Sequence, residues 1–174
     1  LEDIGRQSGS FAEVSQNREI ALFTTKFLAD SHFSSTMLDN FQREISRMGY
    51  SLSMHRILNN ELKEGKLPCS FDATRTSGII CYEVFDHAYS KMLCELEIPI
   101  LFVDSPVIGL SEPLKADRLY MDNQSGIYSF IQEMIRRGKT RFGFVGEPLH
   151  CQSFRERYMA FRDALFLLKQ PYIE

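Results

Sequence analysis

The sequence predicts an α/β fold built on parallel strands. Two observations carry this. Short apolar runs of strand length recur along the 174-residue chain, and segments with helical hydrophobic spacing fall between them. Strand and helix alternating from end to end is the pattern of a parallel sheet with right-handed crossovers. Composition agrees: 44% hydrophobic and 25% charged residues are enough for one core or two small ones.

Each element can be justified in order. "REIALFTT" (Arg18 to Thr25) is short, apolar and closed by Thr, a buried strand. In "SSTMLDNFQREISRMGY", Met37, Leu38, Phe41, Ile45 and Met48 recur at helical spacing. Ser34 or Ser35 can cap that helix and Gly49 suits its exit. "YSLSMHRI" alternates as a strand. "LNNELKEGKLPCSFDATRT" is weakly patterned, and Pro68 confines any helix there to a short one around Asn60 to Lys66. "SGIICYEV" is a third strand. "FDHAYSKMLCELEI" is an amphipathic helix with Asp86 as cap and Tyr89, Met92, Leu93 and Leu96 on one face.

"IPILFVD" is a fourth strand ending at Asp104, followed by the loop "SPVIGLSEPLKADR" and a short extended "LYM". After Asp122-Asn123, either of which can cap, a helix runs to about Arg137 with Ile127, Phe130, Ile131, Met134 and Ile135 inward. "TRFGFVG" reads as a further strand, and "SFRERYMAFRDALFLLKQ" as a final helix before Pro171.

Several function classes find no support. The net charge is −3 and the sequence pI about 5.9, without the basic surplus that phosphate-gripping chains show. No apolar run approaches the roughly 20 residues of a membrane span, and "LEDIGRQSGSFAEV" lacks the pattern of a secretory signal. Cys69, Cys81, Cys94 and Cys151 form no Cys-x-x-Cys pair, and His150-Cys151 has no companion ligands at zinc spacing. Reduced, mostly buried thiols of a cytoplasmic protein are the reading. "RGKTRF" follows a helix and precedes a strand, the wrong order for a phosphate loop, so Arg136, Arg137 and Lys139 complement a helix end instead. No dinucleotide fingerprint or nucleophile elbow exists, and the four His, at 32, 55, 87 and 150, are scattered. No metal or cofactor is expected, and nothing indicates an enzyme.

In open parallel sheets, ligands sit beyond the carboxyl ends of the strands. That singles out Thr24, Thr25, Tyr82, Glu83, Asp104, Ser105 and the stretch from Gly146 to Ser153. Asp104 closes a buried strand, and the segment after it is not helical. It is either a turn former or an acceptor facing a ligand; carboxylates suit polyhydroxyl ligands, because each oxygen accepts from a hydroxyl. Arg155 and Arg157 occupy the first turns of the final helix, where the positive helix end disfavours cations. They either pair with Glu156 or another carboxylate, or clamp a ligand with the guanidinium fork. Phe27, Phe33 and Tyr82 supply either stacking walls or core packing.

Together, the segments "IALFTT", "DSHFSSTMLDNFQREISRMGYSL", "SGIICYE", "IPILFVDSP", "YMDNQSGIYSFIQEMIRRGKTRFGFVGEP" and "SFRERYMAFRDAL" resemble, in order, the effector-binding domain of the lactose/galactose-repressor family. The resemblance covers roughly Arg18 onward. It implies a periplasmic-binding-protein-like fold, two α/β lobes around a cleft, with the chain crossing between lobes near the Asp-Asn motif. Residues 1–17 would be a linker remnant after a missing DNA-binding domain, 18–121 the first lobe, and 122–174 the truncated start of the second. By matching motifs, the ligand positions implied are Thr25, Phe27, Phe33, Tyr82, Asp104, Ser153, Arg157 and Phe161. The chain departs from the family pattern in a longer first loop, "KFLADSHF", a helix interrupted at Pro68, and Lys139 where the family usually has His. The implied function is effector sensing in a cytoplasmic, homodimeric transcriptional repressor. Its small-molecule effector would be a sugar, operator DNA would be held through another domain, and no membrane would be involved. A solute-binding protein for sugar uptake and an α/β enzyme using the same cleft are the alternatives.

Overall fold

The computed structural model describes residues 18–26, 32–108 and 112–171, the side chains of 32–35 excepted. Five strands form one sheet: β1 (Glu19–Thr24), β2 (Ser51–Arg56), β3 (Thr76–Tyr82), β4 (Ile100–Val103) and β5 (Asp117–Leu119). Their order is β2-β1-β3-β4-β5, and every pairing is parallel. The crossovers carry α1 (His32–Arg47), α2 (Asn59–Glu64) and α3 (His87–Cys94); α4 (Ser125–Arg136) and α5 (Gln152–Leu167) follow the sheet.

Register and alternation decide which residues face which layer. Ala21 pairs with Ile79 and Phe23 with Cys81, while Ile79 pairs with Ile100 and Cys81 with Phe102. These side chains share one face and form the main core with Ile57, Val84, Tyr89 and Leu93. The other face carries Ile20, Ile80 and Leu101, which border Phe41 and Ile45 of α1. A separate core holds Ile131, Phe161, Ala164 and Leu165, joined by Ile127, Phe142 and Phe144. The two-lobed α/β architecture thus shows as two cores, the second built by α4, α5 and the segment between them.

Local chemistry explains the helix ends. Asp86 accepts the Tyr89 N–H at 2.8 Å and caps α3. The Glu61 carboxylate reaches back to the Leu58 N–H at 2.8 Å, and Gly65, at φ 62°, closes α2. Gly49 leaves α1 at φ 81°, as its position predicts.

Three expectations are corrected. Thr140–Gly146 is not a strand: no neighbouring strand lies beside it among the described residues, so its backbone joins no ladder. The short extended piece lies at Asp117–Leu119, slightly before "LYM", because pairing with β4 sets its position. Phe130 is not inward; it is 56% exposed, since the apolar stripe on α4 is wider than the core it meets.

A buried histidine joins β2 to its surroundings. His55 packs edge-on against Phe23 and Phe71, with ring centroids at 5.5 and 5.6 Å. Ser53 donates its hydroxyl hydrogen to Glu19 Oε1 at 2.9 Å, so it must accept from His55 Nε2–H at 3.0 Å. His55 Nδ1 is then the acceptor for Ser70 Oγ–H at 2.9 Å. Burial lowers the His55 pKa, opposed by the charge of Glu19. A lowered His pKa gives stability that is full above the unfolded value of about 6.5 and declines as pH falls below it. Melting temperature should therefore drop between roughly pH 7 and 5, and His55→Gln should flatten that slope. An unchanged slope in the variant, read by thermal melts across that range, would assign it to other groups.

Candidate functional site

The carboxyl ends of the strands open into a cleft of about 570 Å³, bounded on its other side by the start of α5. Tyr82 and Glu83 reach it from the end of β3, Asp104 from the end of β4, and Leu119, Tyr120 and Met121 from the end of β5. His150, Cys151, Ser153, Phe154 and Arg157 line the opposite wall.

Asp104 ties the two walls together. Its Oδ1 accepts the Ser105 N–H at 2.8 Å and the Ser153 N–H at 3.1 Å. The Ser105 carbonyl accepts the Gln152 N–H at 2.9 Å. Groups at the end of β4 thereby satisfy two of the free donors at the start of α5, and the carboxylate sits at the positive helix end. Asp104 stands at φ 58°, a conformation Asp tolerates because its own side chain bonds the next N–H. Glu83 has φ 56°; its carbonyl accepts the Thr25 hydroxyl at 2.9 Å, and its carboxylate pairs with Lys26 Nζ at 3.1 Å.

The Asp-Asn pair divides its work. Asp122 Oδ1 accepts the Gln124 and Ser125 N–H groups, both at 3.0 Å, and so caps α4. The Ser125 hydroxyl and these amides hold its carboxyl down at about 2. Asn123 is buried and crosses to α5, where its Nδ2 donates to Ser153 Oγ at 3.0 Å and to Glu156 Oε2 at 2.9 Å. Gln152 Nε2 donates to the other Glu156 oxygen at 3.2 Å. Glu156 is thus engaged by two amides. Arg157 has no carboxylate partner among the described residues; its guanidinium lies 5.7 Å from the centroid of the Phe154 ring.

Phe154 continues a chain of rings. His150 packs edge-on to Phe154 at 5.7 Å and to Phe85 at 5.0 Å. Tyr120 OH and Ser105 Oγ share a hydrogen bond of 2.6 Å at the floor. The Cys151 thiol is pushed up to about 11, by burial first and then by the Asp104 carboxylate, so at neutral pH it is a protonated wall group and no nucleophile. Among the described residues no cluster of metal-binding side chains converges, and no helix is long and apolar enough to cross a membrane.

Of the residues marked in the sequence, Tyr82, Asp104, Ser153 and Arg157 come together in the cleft. Thr25 stands beside it, its hydroxyl held by Glu83. Phe161 is placed elsewhere, buried in the second core with its ring 5.8 Å from Phe144. Phe27 and the Phe33 side chain lie outside the described residues. His150 falls in the stretch from Gly146 to Ser153 that the strand ends single out, whereas Phe85, Tyr120 and Phe154 were not proposed as ligand residues. The usable signal was for Phe154, which precedes Arg157 by three on one helix face.

No protein-family model matches the chain, and no curated protein matches it by sequence. Solved structures do match. The transcriptional regulator CelR in complex with cellobiose superposes at TM-score 0.73 with 19% identity, over 90% of this chain and 48% of CelR. The lac repressor dimer bound to operator and the anti-inducer ONPF gives 0.68 at 16% identity, over 92% of this chain and 47% of that one. The transcription regulator CcpA of Lactococcus lactis gives 0.70 at 14%, over 91% and 57%. The chain shares the α/β fold of these regulators over the part it matches, with the second lobe incomplete as the sequence resemblance implied, and spans about half the length of the chains it matches.

Proposed function

We propose that the chain is the ligand-sensing part of a DNA-binding transcriptional repressor of the LacI type, and that its cleft takes a small sugar effector. The observation that carries this is the cleft itself. It brings the Asp104 carboxylate, at the end of β4, and the Arg157 guanidinium, which has no carboxylate partner among the described residues, into one cavity at the strand ends where such sheets bind ligands. The solved structures lend support, since CelR is in complex with cellobiose and the lac repressor with operator and anti-inducer. In this reading residues 18–121 form the first lobe, those from 122 on belong to the second, and 1–17 link to a DNA-binding domain. The separate cores support that division. The protein would act in the cytoplasm as a homodimer, reaching operator DNA through the other domain. The cleft binds and does not turn over its ligand. A ligand can shift lobe closure only through different affinity for the open and closed states.

Calorimetry against a panel of mono- and disaccharides tests this. The expected result is saturable one-site binding of at least one sugar, with a negative heat-capacity change from burial of the apolar wall. Absence of saturable binding across the panel would overturn the sugar reading.

A further inference from the structure

We infer that Thr140–Gly146 is a docking edge for a second copy of this chain, pairing antiparallel with its own counterpart about a two-fold axis at Gly143. This deepens the homodimer reading and is independent of the sugar reading. The segment has the alternation of a strand: Phe142 and Phe144 are half-buried against the second core, while Arg141, Gly143 and Val145 are exposed. Among the described residues its backbone makes no backbone hydrogen bond to another segment, so it presents the free N–H and C=O groups of a sheet edge. Its outer side is open: a Cβ on Gly143 would meet nothing within 4 Å, and Val145 is 97% exposed. Along it lies an apolar groove of about 400 Å³, shared with Phe130 and Met134 of α4.

The residues themselves select the partner. Read outward from Gly143, "KTRFGFVGE" is self-complementary. Antiparallel pairing sets Phe142 opposite Phe144 of the second copy, Arg141 opposite Val145, and Lys139 opposite Glu147, each pair occurring twice by symmetry. The aromatic pairs fall on the inward face beside the groove, where they join the two second cores. Lys139 and Glu147 have no ion-pair partner among the described residues, and in this register each meets its opposite charge. A two-stranded ribbon alone is marginal in water; packing on the helices of both copies is what holds this one.

Sedimentation velocity on the 174-residue chain, over a micromolar concentration series, tests this. The expected result is a monomer–dimer equilibrium. Val145→Glu places a carboxylate opposite Arg141 of the second copy and should tighten the dimer about two- to thirtyfold, whereas Val145→Lys should weaken it by a similar factor. Lys139→Glu and Glu147→Lys should each weaken it, and the double exchange should restore it. All three positions are exposed, so the variants should fold as the native chain does, which circular dichroism checks. A chain that stays monomeric across the series would overturn the inference and the homodimer reading together. A dimer weakened alike by both Val145 substitutions is apolar association without this register, and overturns the inference alone. So does a dimer indifferent to every substitution, which forms through another surface. None of these outcomes touches the sugar reading, since no substituted residue lines the cleft.

Discussion

Phe23→Ala is expected to destabilise the main core by about 3–5 kcal/mol, a large share of the roughly 5–15 kcal/mol that holds a domain together. Phe23 is fully buried on β1, which lies inside the sheet with ladders on both sides. Its ring meets Phe71 edge-on at 5.0 Å and His55 at 5.5 Å. Truncation removes both contacts and leaves a void that strands on either side cannot close. It also admits water toward the imidazole, so the acid slope attributed to His55 should weaken in the same variant. Phe23→Leu keeps most of the volume and should cost less than about 2 kcal/mol. Urea denaturation followed by far-ultraviolet circular dichroism reads these differences. A shift below about 1 kcal/mol for Phe23→Ala would show that the sheet relaxes around the void.

How far the sequence spoke depends on what surrounds each element. β1, β3 and β4 sit between other strands, so they read as compact apolar runs, and their limits were legible. β5 consists of Asp117, Arg118 and Leu119, all exposed, and has no apolar signature; only its ladder with β4 defines it. Thr140–Gly146 shows the converse. Phe142 and Phe144 alternate with polar or small residues as a strand would, yet alternation records only which side chains turn inward, and a strand needs a partner.

The Asp122-Asn123 pair offered two caps, and local sequence could not choose between them. The structure uses one as cap and sends the other across to Ser153 and Glu156. That crossing also bears on Arg157, because Glu156, one of the carboxylates it could have paired with, is engaged by amides. Within the site, Asp104 was legible because a buried strand ending in a carboxylate is unusual. Phe154 and Phe161 were not separable by spacing, since both stand within a turn of Arg157 on α5. Which of them faces the cleft depends on how α5 lies against α4. The contact of Phe85 with His150 joins distant segments and left no trace in the sequence.

Asp104 is where stability and binding can be pulled apart. Asp104→Ala removes the acceptor of the Ser105 and Ser153 N–H groups, and losing such a cap costs about 0.5–2 kcal/mol. Ala at φ 58° adds strain of about 1 kcal/mol, so the variant should lose roughly 2 kcal/mol of stability as well as affinity for any sugar the native chain binds. Asp104→Asn behaves differently. Its amide oxygen still accepts both N–H groups, and Asn tolerates the left-handed conformation at least as well. Only the charge at the α5 N-terminus is lost, worth about 0.3–1 kcal/mol, so the fold should persist. Binding should still fall, because a hydroxyl that met a carboxylate now meets a neutral amide. Losing a hydrogen bond to a charged group costs about 1.5–3 kcal/mol, which corresponds to roughly a ten- to hundredfold rise in Kd for any sugar the native chain binds. Arg157→Ala should produce a loss of the same order without unfolding, since the guanidinium contributes no ion pair to the fold among the described residues. Thermal melts and calorimetry on the three variants separate the two roles. If Asp104→Asn binds a sugar as tightly as the native chain, Asp104 serves only to join α5 to the sheet, and the acceptor at the strand ends must be sought at Glu83 or Tyr120.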